Sequence, residues 1–360
     1  MKKNIGILTF HNAENYGAVL QAYALKNYLQ KKESFSNVNI IDYKNPLVEF
    51  SYKYFNSLSF YKSKGIRKFI SFSLQLIHLP NKIKKKKIFR KFNTEYLETK
   101  NSFFNEYDII IYGSDQIWNP IITNNDLVYF GKSFNGKKIS YAASDGGELD
   151  ITDDIFTYLS DFSKISCREK SLADKLLLKF SNISIVSDPV FLLSKDDWIN
   201  NFSKKPLINN YILIYKIAEN FDLEDEAIKF AKKFNKTIIQ IVYSKSIKKI
   251  FSFNQKYISA ITPNEFVGYF AFADYIFTTS FHGTAFSIIL EKDFYTFTFD
   301  KRTERITDLL KEVGLENRFV DKLPEYNEER KYKIDYSVIS GRKDKYVNKS
   351  KDFLKVALSE

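Results

Sequence analysis

The chain carries a single cysteine, Cys167, in 360 residues. One thiol excludes an intrachain disulfide framework and any zinc site built on several cysteines, and it fits a reducing compartment. Histidine is nearly as scarce. Only His11, His78 and His282 are present, too few for a histidine-rich metal centre, so neither a metal nor a tightly held cofactor is expected. The fingerprint G-x-G-x-x-G is missing from the first strand-to-helix turn, which disfavours a nicotinamide or flavin dinucleotide. Long apolar runs are missing as well. Ile5–Phe10 follows Met1-Lys2-Lys3 in the manner of a signal peptide, but His11, Asn12, Glu14 and Asn15 interrupt it before it reaches useful length. No run attains transmembrane length, and a cytoplasmic protein is expected.

What is present is an ordinary globular balance, 44% apolar and 27% charged residues, on a chain long enough for two domains with their own cores. The net charge of +12 is compatible with nucleic acid, a membrane surface or an anionic substrate. Much of the excess sits in Lys82–Arg90, KIKKKKIFR, and nothing around it matches a nucleic-acid module, so no nucleic-acid partner is expected.

Short apolar runs alternate with helical periodicity. Asn4–Phe10, Val38–Asp42, Tyr107–Tyr112, Lys138–Ala143, Ile165–Cys167 and Ile183–Val186 read as strands of a first domain over residues 1–195. Tyr211–Tyr215, Thr237–Tyr243, Asp274–Thr278 and Phe294–Phe299 read as strands of a second over 205–340. A helical tail at 341–360 is expected to dock back on the first domain. Between about 45 and 106 the rhythm is broken by an aromatic, basic insertion. There Ile66, Phe69, Ile70, Leu74 and Ile77 mark an amphipathic helix with Lys62, Lys64, Arg67 and Lys68 nearby. It reads either as packed on its own domain, with Lys82–Lys87 a solvated face, or as a surface resting on anionic lipid at the inner membrane face. The pattern predicts an α/β protein of two Rossmann-like domains facing a cleft.

Parallel α/β sheets bind ligands beyond the carboxyl ends of their strands, which selects the candidate site residues. The stretch Asp274–Leu290, DYIFTTSFHGTAFSIIL, joins a strand to a helix through Ser280, Phe281, His282 and Gly283. Amides at such a helix start form an anion site, with His282 at its mouth; the alternative is a histidine serving only as cap or core. The loop Asn15-Tyr16-Gly17 follows the first strand. Gly113-Ser114-Asp115-Gln116-Ile117-Trp118 follows another, with Asp115 and Gln116 placed to hydrogen-bond sugar hydroxyls beside Trp118, or else with Asp115 a cap and Trp118 core. Ser144 and Asp145 end a further strand. Arg168 is shaped to grip a carboxylate or phosphate in two-point fashion, its bland alternative being a salt bridge to Glu169.

Six blocks then stand in a familiar order: Asn15–Ala22 (NYGAVLQA), Gly113–Asn119 (GSDQIWN), Ile139–Ser144 (ISYAAS), Arg168-Glu169-Lys170, Asp188–Leu193 (DPVFLL) and Thr279–Phe286 (TSFHGTAF). In these the chain resembles the polysaccharide pyruvyl transferases over nearly its whole length apart from the insertion. The resemblance implies a two-domain fold like that of the glycosyltransferase-B enzymes. It also implies transfer of the enolpyruvyl group of phosphoenolpyruvate to a sugar of a polysaccharide or lipid-linked oligosaccharide, with formation of a pyruvate ketal and release of phosphate. His282 matches the family's proposed catalytic histidine and Arg168 a proposed donor-binding arginine. Many members carry arginine where this chain has Ser280; Arg305, or else Arg302 or Lys301, is expected to supply that charge. The expected site is thus His282 and Asp115 (or Asp145) for catalysis, with Arg168, Ser280, Gly283, Thr284 and Arg305 for the donor. Asn15, Tyr16, Gly17, Gln116 and Ser144 are expected on the acceptor. The competing expectations are a nucleotide-sugar glycosyltransferase of the same architecture and a non-catalytic carbohydrate-binding protein.

Overall fold

A computed structural model describes residues 2–32, 35–51, 66–99, 104–217, 220–242, 254–297 and 303–359, with side chains omitted at 50–51 and 66–78. Lys62, Lys64, Lys301 and Arg302, and the side chains of Ile66, Phe69, Ile70, Leu74, Ile77 and His78, lie outside the described set.

The first sheet contains β1 (Lys3–Leu8), β2 (Phe35–Ile40), β3 (Ile109–Tyr112), β4 (Lys137–Ser140), β5 (Phe162–Cys167) and β6 (Ile183–Ile185) in the order β2-β1-β3-β4-β5-β6. The second contains β7 (Tyr211–Tyr215), β8 (Thr237–Ile241), β9 (Gln255–Ile258), β10 (Tyr275–Thr278), β11 (Asp293–Phe297) and β12 (Phe319–Val320), ordered β12-β11-β10-β7-β8-β9. Every pairing is parallel, Ile7 lying opposite Ile111 and Ile111 opposite Ile139. Parallel strands are covered on both faces, so their sequences are continuous apolar runs: IIIY in β3 and YILIY in β7 are buried throughout. The edge strands β9 and β12 escape the sequence reading because they lack such runs.

The strand order places a topological switch point between β1 and β3 in one sheet and between β10 and β7 in the other. Helix α1 (Tyr16–Gln30) leaves the first of these and packs between the domains. The Tyr16 ring stacks on Phe266 with centroids 4.4 Å apart, and its hydroxyl donates to the Ile261 carbonyl at 3.0 Å. Val19, Leu20, Trp198, Phe266, Phe286 and Leu354 belong to one continuous apolar cluster spanning both halves.

The insertion supplies helix α2 (Ile66–Phe92), whose end lays Phe89 and Phe92 into that cluster. The lysine run is not wholly a solvated face. Lys85 is buried, its Nζ 5.7 Å from the Tyr16 ring centre and 5.5 Å from that of Phe89. Burial lowers its pKa to about 7, against the opposing pull of Glu14. Helix α3 (Tyr336–Ser359) ties the domains together. Tyr336 donates to the Lys292 carbonyl at 2.6 Å, and further along Ser350 Oγ accepts from Ser187 N at 2.7 Å while Tyr346 meets Phe191 edge to face.

Candidate functional site

At the carboxyl end of β10, Thr278 Oγ1 donates to the Tyr215 carbonyl at 2.6 Å and accepts from Ser280 N at 3.0 Å, closing the turn. Ser280 caps the helix Phe281–Ile289. His282 therefore lies within the first helical turn, not before it. A Cβ on Gly283 would overlap Thr278 Oγ1, so the close strand-to-helix approach requires glycine.

This corrects the expected donor cradle. Gly283 N bonds Ser280 Oγ at 3.4 Å and Thr284 N bonds the Ser280 carbonyl at 2.9 Å, while Thr284 Oγ1 meets Thr296 Oγ1 at 2.8 Å. Ser280, Gly283 and Thr284 build the turn that presents His282; their amides are engaged within the helix and do not form an open row.

His282 crosses the cleft to the first domain. Its imidazole fills the space that a Cβ on Gly17 would need, and Gly17 N is held by the capping Asn15 side chain at 2.9 Å. Nε2 of His282 lies 3.6 Å from Asp188 Oδ2, and the same oxygen accepts from Arg168 Nη1 at 2.7 Å. Asp188 is fully buried. Burial pushes its pKa up, but His282, Arg168 and the Val190 amide together outweigh this and hold it at about 2. The Arg168 guanidinium stacks over the Phe281 ring, 4.6 Å from its centre. Burial works against its charge, yet Glu169, Asp188 and Asp115 more than offset that and hold its pKa above the usual value.

Glu169 follows in sequence and is buried beside the same guanidinium, with Oε1 accepting from Ser144 Oγ at 2.5 Å and from Arg168 Nε at 3.4 Å. Burial raises its pKa against the opposing pull of Arg168, Arg305 and Ser144. Arg305 reaches over from the helix Glu304–Val313 of the second domain. Its Nε is 3.8 Å from Glu169 Oε1, and with the Gln116 amide oxygen turned toward it, Nη1 and Nη2 donate at 2.8 and 3.1 Å. Within this cluster three buried atoms have no hydrogen-bond partner: Arg168 Nη2, Glu169 Oε2 and His282 Nε2. One cationic donor, one carboxylate oxygen and one imidazole nitrogen left unpaired in one place constitute a ligand-shaped deficit of hydrogen bonds.

Of the expected residues, the fold brings His282, Arg168, Arg305, Gln116, Ser144 and Gly17 together. Asp115 is half-buried at φ 70°, and its Oδ1 accepts from the Gln116 amide at 2.9 Å. Tyr16 is corrected: its side chain is buried in the interdomain stack, so it offers no open surface to an acceptor. Trp118 is core, stacked on Phe130 and donating to the Tyr129 carbonyl at 3.0 Å, and cannot serve as a sugar platform. Asp145 is fully buried and accepts from Gly147 N, Leu149 N and Lys175 Nζ, so both its oxygens are engaged within its own loop and by Lys175. Asp188 and Glu169 carry more of the site than the sequence reading assigned them. Their signal was the one that selected Arg168: a polar residue directly after a strand of the same sheet. Among the described residues, no group of three or more His, Cys, Asp or Glu side chains is placed to hold a metal ion, and no helix is long and apolar enough to cross a membrane.

Among solved structures the chain is similar to a UDP-N-acetylglucosamine 2-epimerase, at 11% identity and a TM-score of 0.52, over 99% of this chain and 96% of that one. It is also similar to the UDP-GlcNAc 2-epimerase of Methanocaldococcus jannaschii, at 12% identity and a TM-score of 0.47, over 97% and 93%. The Neisseria meningitidis enzyme bound to UDP-GlcNAc gives 11% identity and a TM-score of 0.47, over 99% and 100%. At 11% identity the first of these likenesses establishes the glycosyltransferase-B-like fold alone. No curated protein matches the chain. Residues 15–300 match the polysaccharide pyruvyl transferase family, a span that holds His282, Arg168, Glu169 and Asp188, and the chain belongs to that family.

Proposed function

We propose that the protein transfers the enolpyruvyl group of phosphoenolpyruvate to a sugar of a polysaccharide or lipid-linked oligosaccharide, forming a pyruvate ketal and releasing phosphate. The observation that carries this reading is the trio of unpaired buried atoms, Arg168 Nη2, Glu169 Oε2 and His282 Nε2, gathered at the interdomain cleft. A small carboxylate-bearing phosphate ester needs fixed cations, and Arg168 with Arg305 supplies two on one side of the cluster.

The chemistry follows from the same geometry. His282 delivers a proton to the methylene carbon of the donor, whose C=C electrons take it up and leave an oxocarbenium-like carbon. Asp188, ionised beside the ring, stabilises the imidazolium that precedes this step. One sugar hydroxyl adds to that carbon and passes its proton to Glu169, a carboxylate whose raised pKa suits a base. A second hydroxyl then replaces the phosphate: the C–O bond to the phosphate oxygen breaks as the new C–O bond forms, the hydroxyl proton passes to the neutral His282, and Glu169 gives the proton it holds to the departing phosphate.

The test is phosphate release from phosphoenolpyruvate by the purified protein on addition of lipid-linked or nitrophenyl hexosides. Release that depends on both substrates supports the proposal. Release absent with phosphoenolpyruvate, but sugar transfer present with a nucleotide sugar, replaces it with the glycosyltransferase alternative.

A further inference from the structure

A cavity of about 350 Å³ opens beside the β1–α1 turn, separate from the His282 cluster, and its wall includes His11, Asp42 and Asn93. We propose that it holds one sugar unit of the acceptor, next to the unit that reacts. Calling that sugar an acceptor rests on the transferase reading; the carbohydrate site itself does not.

The cavity is a built site. His11 is buried, with Nε2 2.7 Å from Asp42 Oδ1 and Nδ1 3.3 Å from the Thr9 carbonyl. The hydrogen bond from His11 comes first among the causes that hold the Asp42 pKa at about 2. Asn93 is only 8% exposed; its Nδ2 donates to the His11 carbonyl at 3.0 Å, while its Oδ1 has no partner. A buried amide oxygen at a cavity wall is a hydrogen-bond acceptor awaiting a donor.

The charge pattern selects the chemical class. Glu14, Asp42 and Glu49 face Lys44, Lys86 and Arg90 around the same space, three carboxylates against three cations. A free phosphate would meet the carboxylates and a metal ion would meet the cations, whereas neutral hydroxyls can donate to one set and accept from the other. The location agrees: the loop that carries His11, Asn12 and Glu14 continues into Asn15 and Gly17, and Gly17 touches His282.

Calorimetric titration of the full chain with a panel of nitrophenyl hexosides tests the assignment. At least one hexoside should bind. Asn12→Trp, a rim substitution at an exposed residue, should weaken that binding by about tenfold or more, and Asn93→Leu, which removes the unpaired acceptor, should weaken it as well. Affinity for phosphoenolpyruvate should stay within about twofold in Asn12→Trp, since the donor groups lie elsewhere. Absence of hexoside binding by the wild-type protein, or unchanged binding by Asn12→Trp, overturns the proposal. Cavity-dependent hexoside binding without any turnover of phosphoenolpyruvate would instead remove the transferase reading and leave the sugar site standing.

Discussion

The imidazole of His282 occupies the volume that a side chain on Gly17 would need, so a residue of one domain fixes the position of a ring carried by the other. The contact requires the two switch points to face each other. It also makes glycine at position 17 a requirement of the site more than of the helix that begins there.

Gly17→Ala should therefore fold, since alanine favours a helix by up to ~1 kcal/mol over glycine, but it should displace the ring. Displacement of a catalytic group by about 1 Å can cost roughly 10²-fold. Steady-state kinetics should show kcat reduced to that extent with the melting temperature little changed.

His282→Ala should reduce turnover by ~10²–10⁴-fold while phosphoenolpyruvate still binds. Calorimetry beside kinetics separates the two effects; a fully active variant would end the assignment of this residue.

Asp188→Ala should destabilise the fold by about 3–5 kcal/mol, because it removes the closer of the two buried carboxylates paired with Arg168 and leaves only Glu169. The pH dependence has a defined sign. The Asp188 pKa falls from about 3.9 in the unfolded chain to about 2, so its contribution is complete above pH ~4 and is lost as the pH drops toward 2. Glu169, with its pKa raised, acts in the opposite direction and costs stability as it ionises. Denaturant titrations between pH 6 and 2 should give a flatter acid limb for Asp188→Asn than for the wild-type protein.

Arg305→Ala should raise the Kd for phosphoenolpyruvate by about tenfold or more, the loss expected for a charge-assisted contact. Arg305→Lys should recover part of it. Unchanged donor affinity in the alanine variant would refute the idea that Arg305 supplies the charge that Ser280 lacks.

Much of the fold was legible because its signals are local. Fully buried strands such as Ile109–Tyr112 and Tyr211–Tyr215 are unbroken apolar runs. The edge strands β9 and β12 were not, since a strand with one neighbour and partial exposure need not be apolar. At the site, position after a strand selected His282 and Arg168, which the fold brings to the same carboxylate, but misjudged what the surrounding polar groups do. Asp145 also follows a strand of that sheet, yet its oxygens bond two amides of its own loop and Lys175, while Trp118 turned inward onto Phe130.

By itself, then, the sequence determined two parallel sheets, the loops at their carboxyl edges and the presence of one histidine at the head of a helix. Those features follow from side-chain burial and backbone capping among neighbours in the chain. Only the tertiary structure decided that Asp188 stands between Arg168 and His282, that Arg305 meets Gln116 and Glu169 across the cleft, and that three polar atoms there stay unpaired. Such pairings depend on which strand ends the sheet order brings side by side and on which atoms lose water when the domains close, and neither is written in any local stretch of residues.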